Sequence, residues 1–250
     1  VLIGGAHEDE FTGITPLSDG SYLLYGSSAS FGHIMRAAWL ARVDNAGNLL
    51  WSRQIGNNHT DADRVKMVRQ FTDGDLIGTY NTNDSTAASN PVVFKMALNG
   101  TMRWAHTFNH GGNDSFTAIA FSGNTIYAGG FYSTSTTRRA LIVTMNSADG
   151  TLIASSNIYK KDNTYDEEIR GLEVADNEVS YGLWTWKRDG MSLHGFSEMI
   201  LVQTDLAGNT LFQLRLDNAT DSLLLTPYRT VDNGFIIQQS PMGRYSGWPS

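Results

Sequence analysis

The chain has no cysteine, few prolines and fewer basic than acidic residues. None of its 250 residues is cysteine, which excludes disulfides, thiol catalysis and cysteine-ligated metals. Only 5 are proline, and the apolar runs are far shorter than the roughly 20 residues with which a helix crosses a bilayer. The formal net charge is −7. We therefore expect neither membrane insertion nor binding to nucleic acid, which needs a basic face.

Catalytic signatures are missing as well. The sequence contains no phosphate-binding loop, no G-x-G-x-x-G and no G-x-S-x-G. Among the histidines only His106 and His110 stand four apart, and the glycines and strand-like residues around them argue against a helix that presents both to zinc. The chain begins at Val1, which favours a mature product or a fragment. We expect no enzymatic activity and no cofactor, with Ca²⁺ as the one alternative considered below.

What the chain does contain is a repeat of about fifty residues, first seen over 11–56. Four short runs rich in strand-forming residues lie inside it. Tight-turn signals separate the first run from the second at Asp19-Gly20 and the third from the fourth at Asp44 to Gly47. Four strands joined by turns at this period are typical of a propeller blade.

Two further markers keep the same period. A glycine recurs in the turn between the third and fourth strands of each repeat. The residue four positions after it is expected to pack between neighbouring blades, and it is aromatic in three of four repeats. The glycines are Gly47, Gly100, Gly150 and Gly208, followed by Trp51, Trp104, Ala154 and Phe212. Ala154 leaves this contact thin in the third repeat. The repeats predicted from these markers span 9–56, 63–108, 114–159, 166–216 and 221–250 together with 1–5.

The segment DGSYLLYG…AAWLARVDNAGNLLWSRQIG resembles the propeller repeats of secreted and cell-surface proteins. Those repeats read DGGY, then an apolar run, then a W-L strand, then D-x-x-G followed by an aromatic residue. The turn also resembles the tryptophan-docking motif of quinoprotein-like propellers. The resemblance implies a propeller fold and an extracellular or cell-surface location, and it implies no activity.

We predict an all-β fold, a single β-propeller domain over 1–250 with five four-stranded blades. The N-terminal strand at 1–5 either closes the last blade or pairs with a neighbouring molecule, because an open strand edge recruits another strand. A third strand of the last blade would come from 244–250. The alternative is a segment of a longer propeller with six or more blades.

An acidic residue precedes each first strand. If these carboxylates approached a common axis, they could hold Ca²⁺, which prefers several oxygen ligands. The alternative is that each one caps a local turn through backbone N–H groups. The five residues are Asp9, Asp63, Asp114, Asp166 and Asp221.

Aromatic residues at the ends of second strands suggest a sugar-binding rim. Trp184, Trp186, Tyr80 and Tyr132 could stack on sugar rings, or they could pack between blades. Glycoside hydrolysis would need a pair of carboxylates. Glu10, Glu167, Glu168 and the repeated aspartates could supply it, and of these Glu167-Glu168 breaks the repeat, as a catalytic pair should.

Five N-glycosylation acceptors fall in predicted turns or loops, where a glycan can be accommodated. They are Asn58, Asn83, Asn99, Asn113 and Asn218. Together with the resemblance and the open ends, they favour a non-enzymatic extracellular module that serves structure or adhesion. Such a module could be the repeating subunit of a glycosylated surface filament, joined to its neighbours through 1–5 or 244–250. A carbohydrate-binding propeller is the alternative, and a five-bladed glycoside hydrolase is the third interpretation.

Overall fold

A computed structural model describes residues 3–31, 36–56, 63–83, 88–157, 165–187, 197–216, 222–229 and 235–241. Every regular element in these ranges is a β-strand, and none of them holds a helix long and apolar enough to cross a membrane. The strands are β1 (Asp9–Pro16), β2 (Tyr22–Ser28), β3 (Ala37–Val43), β4 (Leu49–Ile55), β5 (Arg64–Gln70), β6 (Leu76–Asn83), β7 (Ser89–Met96), β8 (Met102–Thr107), β9 (Ser115–Ser122), β10 (Thr125–Ser133), β11 (Arg138–Asn146), β12 (Leu152–Asn157), β13 (Tyr165–Ala175), β14 (Glu178–Lys187), β15 (Ser197–Asp205), β16 (Thr210–Leu216), β17 (Ser222–Arg229) and β18 (Phe235–Pro241).

The strands form antiparallel sheets in chain order, one for each predicted repeat. β1–β4, β5–β8, β9–β12 and β13–β16 make four four-stranded sheets, and β17 pairs with β18 in a fifth. The all-β prediction is confirmed. The prediction of five four-stranded sheets is not met, because within the described residues the fifth sheet has two strands.

The two chain ends leave the predicted closure open. Ile3, Gly4 and Gly5 are not in a strand, and Val1 and Leu2 lie outside the described residues, as does the stretch 244–250 expected to supply a third strand. Closure of the ring by a terminal strand therefore stays a prediction.

Asx turns connect the third strand of a sheet to its fourth. Asp44 Oδ1 accepts hydrogen bonds from the N–H groups of Ala46 at 2.9 Å and Asn48 at 2.8 Å, and Gly47 has a φ of 83°. A residue with a Cβ rarely adopts this φ, which is why glycine recurs here. Asp205 and Asn209 repeat the arrangement in the fourth sheet, with a 2.8 Å hydrogen bond.

The sheets pack face to face, and the hydrophobic core lies in the layers between them. Leu23 and Leu40 of the first sheet meet Val65 and Phe94 of the second. Similar clusters fill the junctions between the second and third sheets and between the third and fourth. Because each junction buries large side chains, this packing is the main source of stability.

The two repeat tryptophans dock on the next sheet as predicted. Trp51 Nε1 donates a 2.9 Å hydrogen bond to the carbonyl of Leu98, and a Cβ added at Gly150 would lie 2.8 Å from Trp104 Cε3. The turn glycine thus makes room for the indole. In the third sheet Ala154 is exposed, and nothing lies within 4 Å of a Cβ added at Gly208. The thin contact expected in the third repeat is therefore present.

Candidate functional site

The first strand of each four-stranded sheet carries an irregularity at the same place. The register shifts between Phe11 and Gly13 in β1, between Val65 and Met67 in β5, and between Ile169 and Gly171 in β13. In the β9–β10 pair, Thr117 is the residue skipped. A bulge re-aims its extra side chain. The four re-aimed residues are Thr12, Lys66, Thr117 and Arg170.

The threonines among them join neighbouring sheets. Thr12 Oγ1 donates to the Val65 carbonyl at 3.1 Å, and Thr117 Oγ1 donates to the Ile169 carbonyl. These carbonyls belong to the first strand of the following sheet, whose inner edge has no strand partner among the described residues. The first strands therefore lie side by side around a common axis.

An ion pair crosses this axis between the second and fourth sheets. Arg69 of β5 places both of its terminal nitrogens 3.3 Å from Glu173 Oε2 of β13. About a third of each side chain is exposed. At this level one cation faces one carboxylate, so the charges balance.

Three residues earlier on each strand, the charges do not balance. Lys66 of β5 and Arg170 of β13 occupy the two bulges, and Arg138 of β11 joins them. All three lie near Glu168, which is 3% exposed. Arg170 Nη2 is 3.2 Å and Arg138 Nη1 is 3.7 Å from Glu168 Oε2. We call Lys66, Arg138 and Arg170 the axial basic cluster.

The electrostatics of this cluster reflect both burial and crowding of positive charge. Burial raises the pKa of Glu168, although Arg170, Arg138 and Lys66 each lower it. Lys66 is exposed, but the protein around it still removes part of the water from its side chain. That desolvation lowers its pKa, and the positive charges of Arg64 and Arg170 lower it further.

Two of the predicted sugar-binding residues meet beside the cluster. The rings of Trp184 and Trp186 stack with centroids 4.2 Å apart. The Arg170 guanidinium lies 4.7 Å from the Trp184 ring centre, and that of Arg138 lies 5.6 Å from the Trp186 ring centre. The indoles thus already contact each other and two cations, and much of the ring surface that a sugar would cover is occupied.

The two predicted tyrosines do not join them. Tyr80 is 7% exposed and belongs to the core between the first and second sheets, where burial, aided by Asp63, raises its pKa to about 12. Tyr132 packs against the core between the second and third sheets, with the His110 ring 5.4 Å away. The burial of Tyr80 fits the alternative that this residue packs between blades.

Three of the repeated aspartates accept hydrogen bonds from backbone N–H groups, Asp166 from a residue of the neighbouring third sheet. Asp114 Oδ1 accepts from the Ser133 N–H at 2.8 Å, and Oδ2 accepts from the His110 N–H at 2.9 Å. Asp9 accepts from the Gly5 N–H at 2.6 Å, and Asp166 accepts from the Arg138 N–H at 2.6 Å. These bonds fit the turn-capping alternative.

Of the remaining two aspartates, only Asp63 lies within the described residues. Asp63 is buried, with the Thr82 hydroxyl 3.5 Å from its carboxylate, and Asp221 lies outside the described residues. The described part of the chain holds no group of three or more metal-ligating side chains. Calcium binding by the aspartates stays an untested prediction.

The glutamates considered for glycoside hydrolysis are not arranged as a pair. Glu167 and Glu168 are consecutive in β13, so their side chains leave opposite faces of the sheet. Glu167 is fully buried, 3.7 Å from Arg139 Nη1. Glu10 forms ion pairs with Arg64 and Arg36. No two of these three carboxylates flank a common cleft.

Two of the predicted glycosylation sites are exposed turn residues. Asn99 Oδ1 accepts from the Thr101 N–H at 3.0 Å, and Asn113 Oδ1 accepts from the Ser89 N–H at 2.9 Å. Asn83 is half-buried at the end of β6. Asn58 and Asn218 lie outside the described residues.

A second candidate site is the open face of the fourth sheet, which we define as Phe212 and Leu214 of β16. Phe212 pairs with Gln203 and Leu214 with Leu201, so both point away from Ile200 and Val202, which pack on the third sheet. Phe212 is 44% exposed and Leu214 is 42% exposed. Their counterparts in the first sheet are Trp51 and Arg53, and Trp51 packs against the second sheet.

Sequence reasoning missed the axial basic cluster. Lys66 and Arg170 occupy the positions of Thr12 and Thr117 in their repeats, so superposing the four repeats would have revealed a site that alternates between hydroxyl and cation. No single-repeat motif contains them. Arg138 comes from another strand and carries no signal of its own.

Comparisons with known proteins bear on the fold alone. No protein-family model matches the chain, and no curated protein matches it in sequence. Among solved structures, quinohemoprotein alcohol dehydrogenase from Comamonas testosteroni is similar over 83% of this chain, with a TM-score of 0.50 and 9% identity. The chain spans 47% of that enzyme, which is less than half its length.

Two further solved structures are more distant. The complex of Drosophila plexin A with semaphorin 1b gives a TM-score of 0.45 at 8% identity, covering 81% of this chain and 41% of that one. A structure described as a glycoside hydrolase gives 0.44 at 10% identity, covering 99% and 93%. All three structures are at most 10% identical to this chain, so the likeness concerns the fold alone.

Proposed function

We propose that this protein is a non-enzymatic extracellular module that serves structure or adhesion and associates with further copies of itself through the fifth sheet. The observation that carries the proposal is the open face of the fourth sheet. The first sheet packs Trp51, the counterpart of Phe212, against its neighbour, whereas the fourth leaves Phe212 and Leu214 over two-fifths exposed.

Within the described ranges the fifth sheet has two strands, two fewer than each of the other sheets. β17 lies against β13 and β14, so the β17–β18 pair covers the inner half of the fourth sheet. β18 has one neighbour among the described residues, so its outer edge is free to accept a strand. Residues 244–250 of one copy and 1–5 of the next can each supply a strand of five to seven residues.

A contact of this kind is head-to-tail, since the donating end and the accepting face are different surfaces. Heterologous contacts that do not close generate filaments. Glycans on exposed turns such as Asn99 would lie on the outside of such an assembly. The proposed product is a glycosylated surface filament with one propeller as its repeat.

The test is the mass of the full chain in solution, followed by electron microscopy, for the wild type and two variants. Phe212→Asp places a charge on the open face and should shift assemblies to single chains of 27.5 kDa. Leu211→Asp is the matched control, because Leu211 is 54% exposed on the same strand but is not part of the open face. Deletion of residues 1–5 should act as Phe212→Asp does.

Two results would refute the proposal. One is a wild-type chain that stays monomeric at every concentration accessible to light scattering. The other is Phe212→Asp protein that assembles as well as Leu211→Asp. Apolar faces contribute most of the binding free energy of such interfaces. If Phe212→Asp weakens assembly only in part, Leu214→Asp should therefore weaken it to a similar extent.

A further inference from the structure

The axial basic cluster plays no part in the proposed self-association, and its charge is unexplained by the fold. Lys66, Arg138 and Arg170 converge on one carboxylate, that of Glu168. The chain as a whole carries a net charge of −7, so a local excess of cations on its axis runs against the overall balance.

The neighbouring level of the axis differs in its charge balance. Arg69 and Glu173 make a balanced pair across the axis at 3.3 Å. Three residues away on the same strands, Lys66 and Arg170 put two like charges toward each other, which is unfavourable unless an anion lies near them. Glu168 meets part of this need, but its burial favours the neutral carboxylic acid.

Hydrogen-bond donors remain available in the cluster. Arg170 Nε is buried and has no hydrogen-bond partner within the described ranges. Lys66 is exposed and forms no salt bridge with a carboxylate in the part of the chain that the structure describes. Arg138 is 38% exposed, so the cluster can be approached from solvent. An unsatisfied buried donor is costly, and a ligand that accepts from it gains that energy back.

We propose that the axial basic cluster binds an oxyanion, a carboxylate or sulfate group that is either free or carried by an acidic saccharide. Guanidinium groups hold such groups through parallel charge-assisted hydrogen bonds. The Trp184–Trp186 stack beside the cluster offers ring edges to the carbon skeleton of a larger ligand. Binding is therefore by charge, and no sugar ring needs to displace the indole stack.

The experiment is a titration of the full chain at low ionic strength with sodium sulfate, trigalacturonate and neutral maltotriose. Calorimetry gives the affinity, and tryptophan fluorescence reports on the site because Arg170 lies over Trp184. We expect Lys66→Gln to weaken binding of the charged ligands at least tenfold, and Lys66→Arg to retain it. Arg103→Gln is the control, since Arg103 is 56% exposed on β8 and bonds to Asp75 away from the axis.

Each outcome either identifies the ligand as an acidic saccharide or a small oxyanion, or refutes the site. Trigalacturonate binding at least tenfold tighter than sulfate assigns the site to acidic saccharides, and equal affinity assigns it to small oxyanions. The proposal fails if neither charged ligand binds, if maltotriose binds as tightly as they do, or if Lys66→Gln and Arg103→Gln bind equally well. Because Lys66 is exposed, Lys66→Gln should fold, and Arg170→Gln serves as a second variant once its thermal unfolding matches the wild type.

Discussion

The junction between the first two sheets and the open face of the fourth sheet use the same strand positions but differ in what covers them. In the first sheet Trp51 bonds to the Leu98 carbonyl of the second sheet, and Arg42 opposite it bonds to the same carbonyl at 3.1 Å. In the fourth sheet Phe212 is 44% exposed, and Gln203 opposite it bonds within its own sheet, to Glu178. A repeat position thus acquires its role from the neighbour it meets.

The largest effect should come from removing the docked ring. We expect Trp51→Ala to lower the free energy of unfolding by about 3 kcal/mol, because it empties a packed junction and leaves the Leu98 carbonyl with one donor fewer. Phe212→Ala should cost less than about 1 kcal/mol in the monomer. Urea unfolding of both variants at low protein concentration measures the difference. Equal losses would show that the fourth-sheet face is covered in solution.

An intermediate effect is expected for the cation that clamps the next junction. Lys95 bonds to Asp73 of its own sheet at 2.5 Å and to the Ser147 carbonyl of the third sheet at 3.2 Å. Lys95→Met should cost about 2 kcal/mol, as for loss of a charged hydrogen bond in a buried place. Gln203→Met, the counterpart on the open face, should cost less than about 0.5 kcal/mol. Chemical unfolding compares the two.

The same clamp predicts a pH dependence. Partial burial raises the pKa of Asp73, but the hydrogen bond from Lys95 and further bonds outweigh it, and the pKa is lowered overall. A depressed carboxyl pKa stabilises the fold above the unfolded pKa, about 4, and this stability is lost as pH falls through the folded pKa. Asp73 is 45% exposed, so solvent screening should keep its contribution to the free energy of unfolding below about 1 kcal/mol. Lys95→Met should flatten the unfolding profile between pH 5 and pH 2 relative to the wild type; an unchanged profile would assign the acid sensitivity to other groups.

The sequence was enough to predict the sheets because several markers repeat together. The turn aspartates and glycines, the docking residues Trp51 and Trp104, and the alternation of strand residues all hold the same period, and each reflects local chemistry. The number of strands in the fifth sheet was overestimated, because the sequence markers of that repeat cover only two strands. Counting first and second strands says nothing about the third and fourth.

The candidate sites were harder to predict, for physical reasons that differ between them. Tyr80 follows a strand toward the rim, but its face is fixed by the bulge-shifted register of its sheet, which a sequence pattern does not reveal. Lys66 and Arg170 are placed by bulges in the same way. The pairing of Trp184 with Trp186 follows from spacing two on one strand face, but the guanidinium groups over them come from elsewhere in the fold.

The smallest effect, and the most direct test of the docking rule, concerns the third sheet. Ala154 stands where the first two sheets have tryptophan, and the space over Gly208 is open. Ala154→Trp should restore the docked ring and stabilise the protein by about 1 kcal/mol, since much of the indole would leave water without displacing any atom. The midpoint of thermal unfolding measures this, with Ile153→Trp as the control because Ile153 is 59% exposed at the adjacent position, where the register shifts. A destabilised Ala154→Trp variant would mean that the third junction is already closed by other contacts, and that the docking tryptophan is a property of the first two junctions rather than of the repeat.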